Sequence, residues 1–183
     1  MSKPDTKTRI LVAAEQVVLA RGVSALTLDA VAEAAGLSKG GLIYHFDSKD
    51  ALIRAMVTRI NACMADRMDR SGSDDGRPGR WTRAYVDAAF PPEGGDDDED
   101  ARREAALIAA LGHDPALLAP YAADYAVWAG RQRDDGIDPV LATIIRLAAD
   151  GLWMNEAFGI PAVAADERAT VLDRLRRMAR GEP

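Results

Sequence analysis

The sequence predicts an all-α protein in two functional parts, and three observations carry that prediction. Apolar residues recur at three- and four-residue intervals through nearly every long segment, and no segment alternates as a half-buried strand would. Capping residues and glycines punctuate these segments at helix-like lengths. One stretch, "RSGSDDGRPGR" at 70–80, breaks the pattern with Gly, Pro and Ser and reads as a linker.

The elements follow in order. In the first helix Ile10, Ala14, Val17 and Val18 share a face, and Gly22 stops it. Thr27 caps "LDAVAEAA", where Leu28, Val31 and Ala35 point one way and Gly36 ends the helix. After the turn "GLS", a third helix is expected at 39–46, with Ser38 as N-cap and Leu37 stapled onto Leu42. Leu42 and Phe46 face a small core, which leaves Lys39, Gly40, Ile43 and Tyr44 on the other side. "SKDALIRAMVTRINACMADRM" then runs for about five turns, with Leu52, Met56, Ile60, Cys63 or Met64, and Met68 on one stripe.

Beyond the linker, helices are expected at 80–90, 100–111, 115–135, 138–158 and 164–180, with "PPEGGDDDED" as a polar loop. In 138–158, Leu141, Ile144, Ile145, Ala148 and Leu152 form one stripe, while Leu147, Gly151, Met154 and Phe158 add another. One side can be core and the other a partner subunit. In the last helix Val171, Leu172, Leu175, Met178 and Ala179 lie opposite Arg174, Arg176, Arg177 and Arg180.

Composition narrows the function classes. The chain has 183 residues, 48% of them hydrophobic and 28% charged, which is the ordinary soluble globular range. A single cysteine, Cys63, excludes an intrachain disulfide and a multi-cysteine zinc site, and the protein is expected to be cytoplasmic. Glu15 and Gln16 interrupt "ILVAA" before it could serve as a secretory signal, and no apolar run approaches membrane-spanning length. Net charge is −6, yet residues 1–70 hold 10 Lys and Arg against 8 Asp and Glu, whereas the rest is strongly acidic. A polyanion would therefore be met by the N-terminal part.

Two short helices joined by a tight glycine turn match the helix-turn-helix plan, whose second helix enters the major groove of DNA. Gly40 and Gly41 each cost about 1 kcal/mol inside such a helix. Either they let the backbone approach a groove wall, or they permit tight packing between the two helices. Lys49, a cation at a helix N-terminus, suits a phosphate; alternatively Asp47 and Asp50, as cap and first-turn acid, neutralise it. His45, an isolated histidine beside Phe46, reads as a packing residue. With His113 the only other histidine, no metal site or cofactor is expected. The run Asp96 to Asp100 reads as a solvated loop whose last residues stand at a helix N-terminus. No metal-spaced ligand set, P-loop or G-x-S-x-G motif is present, so an enzyme is not expected.

"TLDAVAEAAGLSKGGLIYHFDSKDALIRAM", Thr27 to Met56, closely resembles the DNA-binding domain of TetR-family transcriptional regulators, and with the first helix the match covers about residues 8–56. Gly41 and Ile43 depart from the commonest form of the pattern. The resemblance implies three regions: a helix-turn-helix domain at 1–48, a connecting helix at 49–70, and a ligand-binding and dimerisation domain at 80–183. It implies that Thr27, Tyr44, His45 and Lys49 hold phosphates and that Lys39, Gly40 and Ile43 face base edges, with Ser38 and Gly41 opening the reading helix. It further implies a homodimer through the last two helices, a double-stranded DNA operator and a small-molecule effector.

Candidate effector residues are Trp81, Tyr85, Tyr121, Tyr125, Trp128, Asp150, Trp153 and Met154. The aromatics at helical spacing serve as core or as cage. Asp150, an acid in an apolar helix, suits a lipophilic cation, or pairs with Arg146 one turn earlier. The expected function is a repressor released from a palindromic operator by a small lipophilic ligand. The alternative is a regulator of the same fold controlled by a protein partner or lacking an effector.

Overall fold

Side-chain caps set most of the helix starts. Asp5 accepts the Thr8 amide (2.6 Å) at the head of α1 (Thr6–Arg21), and Thr27 accepts the Ala30 amide (3.1 Å) at α2 (Leu28–Ala35). Ser38 accepts the Gly41 amide (3.1 Å) at α3 (Lys39–Ile43), and Ser48 accepts the Ala51 amide (3.1 Å) at α4 (Lys49–Ser71). The computed structural model describes residues 5–71, 76–112 and 116–182. Part of the expected linker, residues 72–75, and His113 lie outside the described residues. The later helices are α5 (Arg80–Ala89), α6 (Asp96–Leu111), α7 (Ala119–Arg133), α8 (Pro139–Ala157) and α9 (Arg168–Met178), and no strand occurs among the described residues.

By contact the chain divides into two units, Met1–Ile60 with Ala106–Tyr121, and Asn61–Ala105 with Ala122–Pro183. Unit 1 is built on Ile10, Ala14, Leu26, Val31, Leu42, Leu52 and Met56, all fully buried. Inside that apolar set lies Glu15, 1% exposed, which accepts the Arg59 guanidinium, with Arg59 Nε at 2.9 Å. In unit 2, Met68, Ala84, Val86, Ile145 and Ala149 are buried, as is a second ion pair, Arg67 with Glu104 (2.5 Å). Arg67 Nε also donates to the Ala88 carbonyl (3.0 Å), so one guanidinium ties α4 to α5 and α6.

Several boundaries differ from the sequence reading. α3 ends at Ile43 instead of 46, and a 3-10 turn at Val23–Ala25 precedes α2. Ser48, not Asp47, caps α4; Asp47 accepts the Ser48 hydroxyl instead (3.0 Å). The acidic run is not a solvated loop: α6 begins at Asp96, with four acids in its first turn, where the partly positive helix end favours them. Asp98 is buried there and accepts the Gly94 amide (3.0 Å) and the Arg102 guanidinium.

α8 is two-sided, but the sides are Ala142, Ile145, Ala149 and Leu152 inward, with Val140, Ile144, Leu147, Met154 and Phe158 outward. Ile144 and Ala148 thus leave the stripe expected for them, because α5 and α9 set the inward face. α9 buries Leu172, Leu175 and Ala179 within its own unit, so Leu175 belongs to the protomer core and is not free for a partner.

The head of α5 is held from a distance. Asp135 accepts the Trp81 amide (2.9 Å) and the Thr82 amide (2.7 Å) with its carboxylate, and the Gly79 amide (2.7 Å) with its carbonyl. Gly79 is left-handed (φ 78°), and a Cβ there would stand 1.8 Å from the Ala179 carbonyl oxygen. Gly79→Ala should therefore destabilise the protein by about 3 kcal/mol or more. Gly76→Ala, also at positive φ but with nothing within 4 Å, should cost only the backbone term, about 1 kcal/mol. Urea unfolding midpoints check the pair, and equal losses would refute the close contact at Gly79.

Candidate DNA-reading surface and effector site

α3 turns its outer side to solvent. Tyr44, at 86%, is the most exposed large hydrophobic side chain among the described residues, and Ile43 beside it is 43% exposed. Tyr44 meets His45 edge-on (5.2 Å between centroids), while Phe46 turns inward beneath the Lys7 ammonium. A Cβ on Gly40 would meet nothing within 4 Å, so no packing within the chain excludes a side chain there. At Gly41 the nearest group is Ser38 Oγ at 3.3 Å, which is the cap of the same helix. Neither glycine is needed for packing between α2 and α3.

The cations and hydroxyls around α3 are engaged but not used up. Lys39 pairs with Asp29 at 2.9 Å, both well exposed, a contact worth little and easily exchanged. Lys49 pairs with neither Asp47 nor Asp50; its ammonium donates to the Val23 carbonyl (3.2 Å), closing the 3-10 turn onto α4. An ammonium has further protons to donate. Thr27 and Ser38 accept amides, and each hydroxyl retains its own proton for a phosphate oxygen. The expected set of Thr27, Ser38, Lys39, Gly40, Gly41, Ile43, Tyr44, His45 and Lys49 thus lies on one continuous run of α2, α3 and the start of α4.

Unit 2 gathers some of the expected effector residues. Asp150 on α8 accepts the Tyr85 hydroxyl of α5 (2.5 Å) and the Tyr125 hydroxyl of α7. No ion pair joins Arg146 to Asp150; the guanidinium instead lies 4.9 Å over the Tyr125 ring and donates to its hydroxyl. Burial, then the hydrogen bond and charge of Asp150, push the Tyr125 phenol up to about 12.

The other candidates divide. Trp128 is buried at 4%, as core. Trp81 is flanked by its own cations, Arg80 at 4.8 Å and Arg131 at 4.7 Å. Met154 is exposed, Trp153 is half-buried, and Tyr121 falls in unit 1.

Two residues were missed by sequence reasoning. Thr82 and Gln132 are buried, and neither the hydroxyl nor the amide finds a hydrogen-bond partner. Their spacing was the available signal. Thr82 precedes Tyr85 by three residues, and Gln132 continues the Tyr125–Trp128 face of α7, where a polar residue breaks an aromatic stripe. A separate cleft of about 290 Å³ includes Arg67, Arg70, Asp87, Phe90, Asp97 and Arg176 in its lining. Its charges are matched internally, Arg70 with Asp97 and Arg176 with Asp87, and none of the expected effector residues lines it.

A family model described as bacterial regulatory proteins, tetR family, matches residues 10–56, and one described as tetracyclin repressor-like, C-terminal domain, matches residues 79–180. The HTH-type transcriptional regulator TtgR of Pseudomonas putida is 32% identical over 71 residues, 39% of this chain and 34% of that protein. The chain spans only about a third of the length of that curated relative. Among solved structures, the TetR-family member SCO1917 from Streptomyces coelicolor A3 is 27% identical with a TM-score of 0.67, covering 94% of this chain and 98% of that one. The multidrug binding protein EbrR complexed with ethidium is 27% identical with a TM-score of 0.64, covering 95% and 99%, and EbrR is also similar in its complex with malachite green. No described helix is long and apolar enough to cross a membrane.

The Tyr125 phenol gives a pH test. Its folded-state pKa lies above the unfolded value of 10.0, so its contribution to stability is complete below that pH and is lost as pH rises toward about 12. Tyr125→Phe should remove that part of the alkaline loss. Urea midpoints for the two proteins should converge between pH 10 and 12, and parallel profiles would refute the assignment.

Proposed function

The chain belongs to the tetR family of bacterial regulatory proteins, and from that membership we propose that it is a homodimeric repressor, released from a palindromic operator by a small lipophilic cation. In this reading residues 1–48 bind DNA, 49–70 connect, and 80–183 hold the effector and the partner subunit. The observation that carries the DNA half is the outer side of α3, with Gly40 open and Lys39, Ile43 and Tyr44 exposed. Lys39 would leave Asp29 for a base edge, and Ile43 would meet a thymine methyl. Thr27, Tyr44, His45 and Lys49 would donate to phosphates, with Ser38 and Gly41 presenting the first turn of α3 to the groove.

The effector half rests on Asp150, a carboxylate held by two tyrosine hydroxyls. A cation entering there would meet the Asp150 carboxylate and the Tyr85 ring, with Arg146 already over the Tyr125 ring. The buried Thr82 hydroxyl and Gln132 amide would supply neutral hydrogen bonds. The similarity to EbrR, whose complexes contain ethidium and malachite green, supports that ligand class.

Two measurements test the proposal. With the operator isolated by selection from random DNA, Gly40→Ala should keep or raise the melting temperature while weakening operator binding, because the added methyl stands between backbone and groove. Wild-type affinity in that variant would remove Gly40 from the DNA surface. Ethidium should release the wild-type protein from its operator, and Asp150→Asn should weaken ethidium binding by about tenfold, on the order of 1.4 kcal/mol. Equal ethidium affinity in the two proteins would show that the carboxylate does not receive the cation.

A further inference from the structure

The outward face of α8 has a definite period. Val140, Ile144, Leu147, Gly151, Met154 and Phe158 follow one another at intervals of four, three, four, three and four, the a/d alternation of a helix that packs along another helix. The five side chains are 44–64% exposed, and Gly151 is exposed among them. Other exposed large hydrophobics of the described residues are scattered over α1, the end of α3, α7 and the turn after α8. The neighbouring face of α9 exposes no large apolar side chain, its exposed residues being Ala169, Thr170, Asp173 and Arg174. The surface that matches this seam in length, period and apolarity is therefore the same seam on a second copy. Five half-exposed apolar side chains per copy remove on the order of 1,000 Å² between two copies, about what a specific interface needs.

Gly151 is the unexplained member of the seam. It sits inside a 19-residue helix, where glycine costs about 1 kcal/mol against alanine. A Cβ there would meet nothing within 4 Å in its own chain, so the protomer gives no reason for it. We infer that two copies of α8 cross at Gly151, each glycine lying on or beside the molecular two-fold and letting the two backbones approach more closely than side chains allow. In a two-fold interface a residue on the axis meets itself, and glycine suits the point of closest approach. This inference rests on the homodimer proposed above and adds where its axis passes.

The test uses the full chain in a Cys63→Ser background, which removes the natural thiol but keeps a hydrogen-bonding group beside Glu104. Sedimentation at micromolar concentration comes first. A monomer would overturn both the homodimer and the crossing. If the chain is dimeric, Gly151→Cys should form an intermolecular disulfide in most chains under mild oxidation, because crossing at this point brings the two Cα atoms within bonding range. Val140→Cys and Phe158→Cys, at the two ends of the seam, should form several-fold less. A dimer that cross-links no better at 151 than at the ends would overturn the crossing while leaving the homodimer standing. As a second variant, Gly151→Leu should keep the helical circular dichroism and weaken dimerisation at least tenfold. An equally tight Gly151→Leu dimer would overturn the inference as well.

Discussion

A buried carboxylate must have its lone pairs and charge met within hydrogen-bond reach; backbone amides do this for Asp135, and α4 supplies a cation for one buried carboxylate in each unit. Arg59 meets Glu15 in unit 1, and Arg67 meets Glu104 in unit 2. Such pairs add little net stability compared with an apolar core, but removing one partner strands the other and costs about 3–5 kcal/mol. Their effect is thus to make one arrangement of neighbouring helices much better than its alternatives. Glu15 fixes α1 against the first part of α4, and α1 in turn carries α2, on which α3 rests. Arg67 does the same for α5 and α6, where burial raises the Glu104 carboxyl pKa and the guanidinium pulls it back.

A similar use of polar groups runs through both candidate sites. Around α3 the hydroxyls cap helices while keeping a proton to donate, Lys39 holds an exposed, easily exchanged partner, and Lys49 keeps protons beyond the one given to Val23. Around Asp150 the charge is met by neutral phenols, which satisfy its lone pairs without cancelling its sign. Arg146 reaches the carboxylate only through the Tyr125 hydroxyl and forms no direct ion pair with it.

How much of this was legible in the sequence depended on the separation between partners. Thr27, Ser38 and Gly36 could be assigned as caps because their backbone partners lie within a few residues, and α3 could be placed because Leu42 and Phe46 identify its inner side. Glu15 looked like a break in an apolar run because its partner lies 44 residues away. Asp150 could be singled out as anomalous, but its two tyrosines, 65 and 25 residues distant, could not be matched to it by spacing. Ile144 went to the wrong side of α8 for a related reason. Two apolar stripes on one helix are distinguishable only by what packs on them, and α5, which packs on the inward one, lies some fifty residues earlier in the chain. The acidic run failed differently: its composition suited solvent, but a helix end accepts the same charges.

The clasp at the head of α5 also constrains when unit 2 can form. Its first amides wait for Asp135, more than fifty residues further along, and its glycine seat receives the backbone of Ala179, a hundred residues on. Each of these contacts closes a long loop, whose entropy is lost before the contact repays it. During synthesis, α1 through α3 and the Glu15–Arg59 pair have all their parts once residue 59 has emerged. The start of α5 has to stay unfastened until residue 179 has followed, and until then its apolar side is open to whatever holds nascent chains.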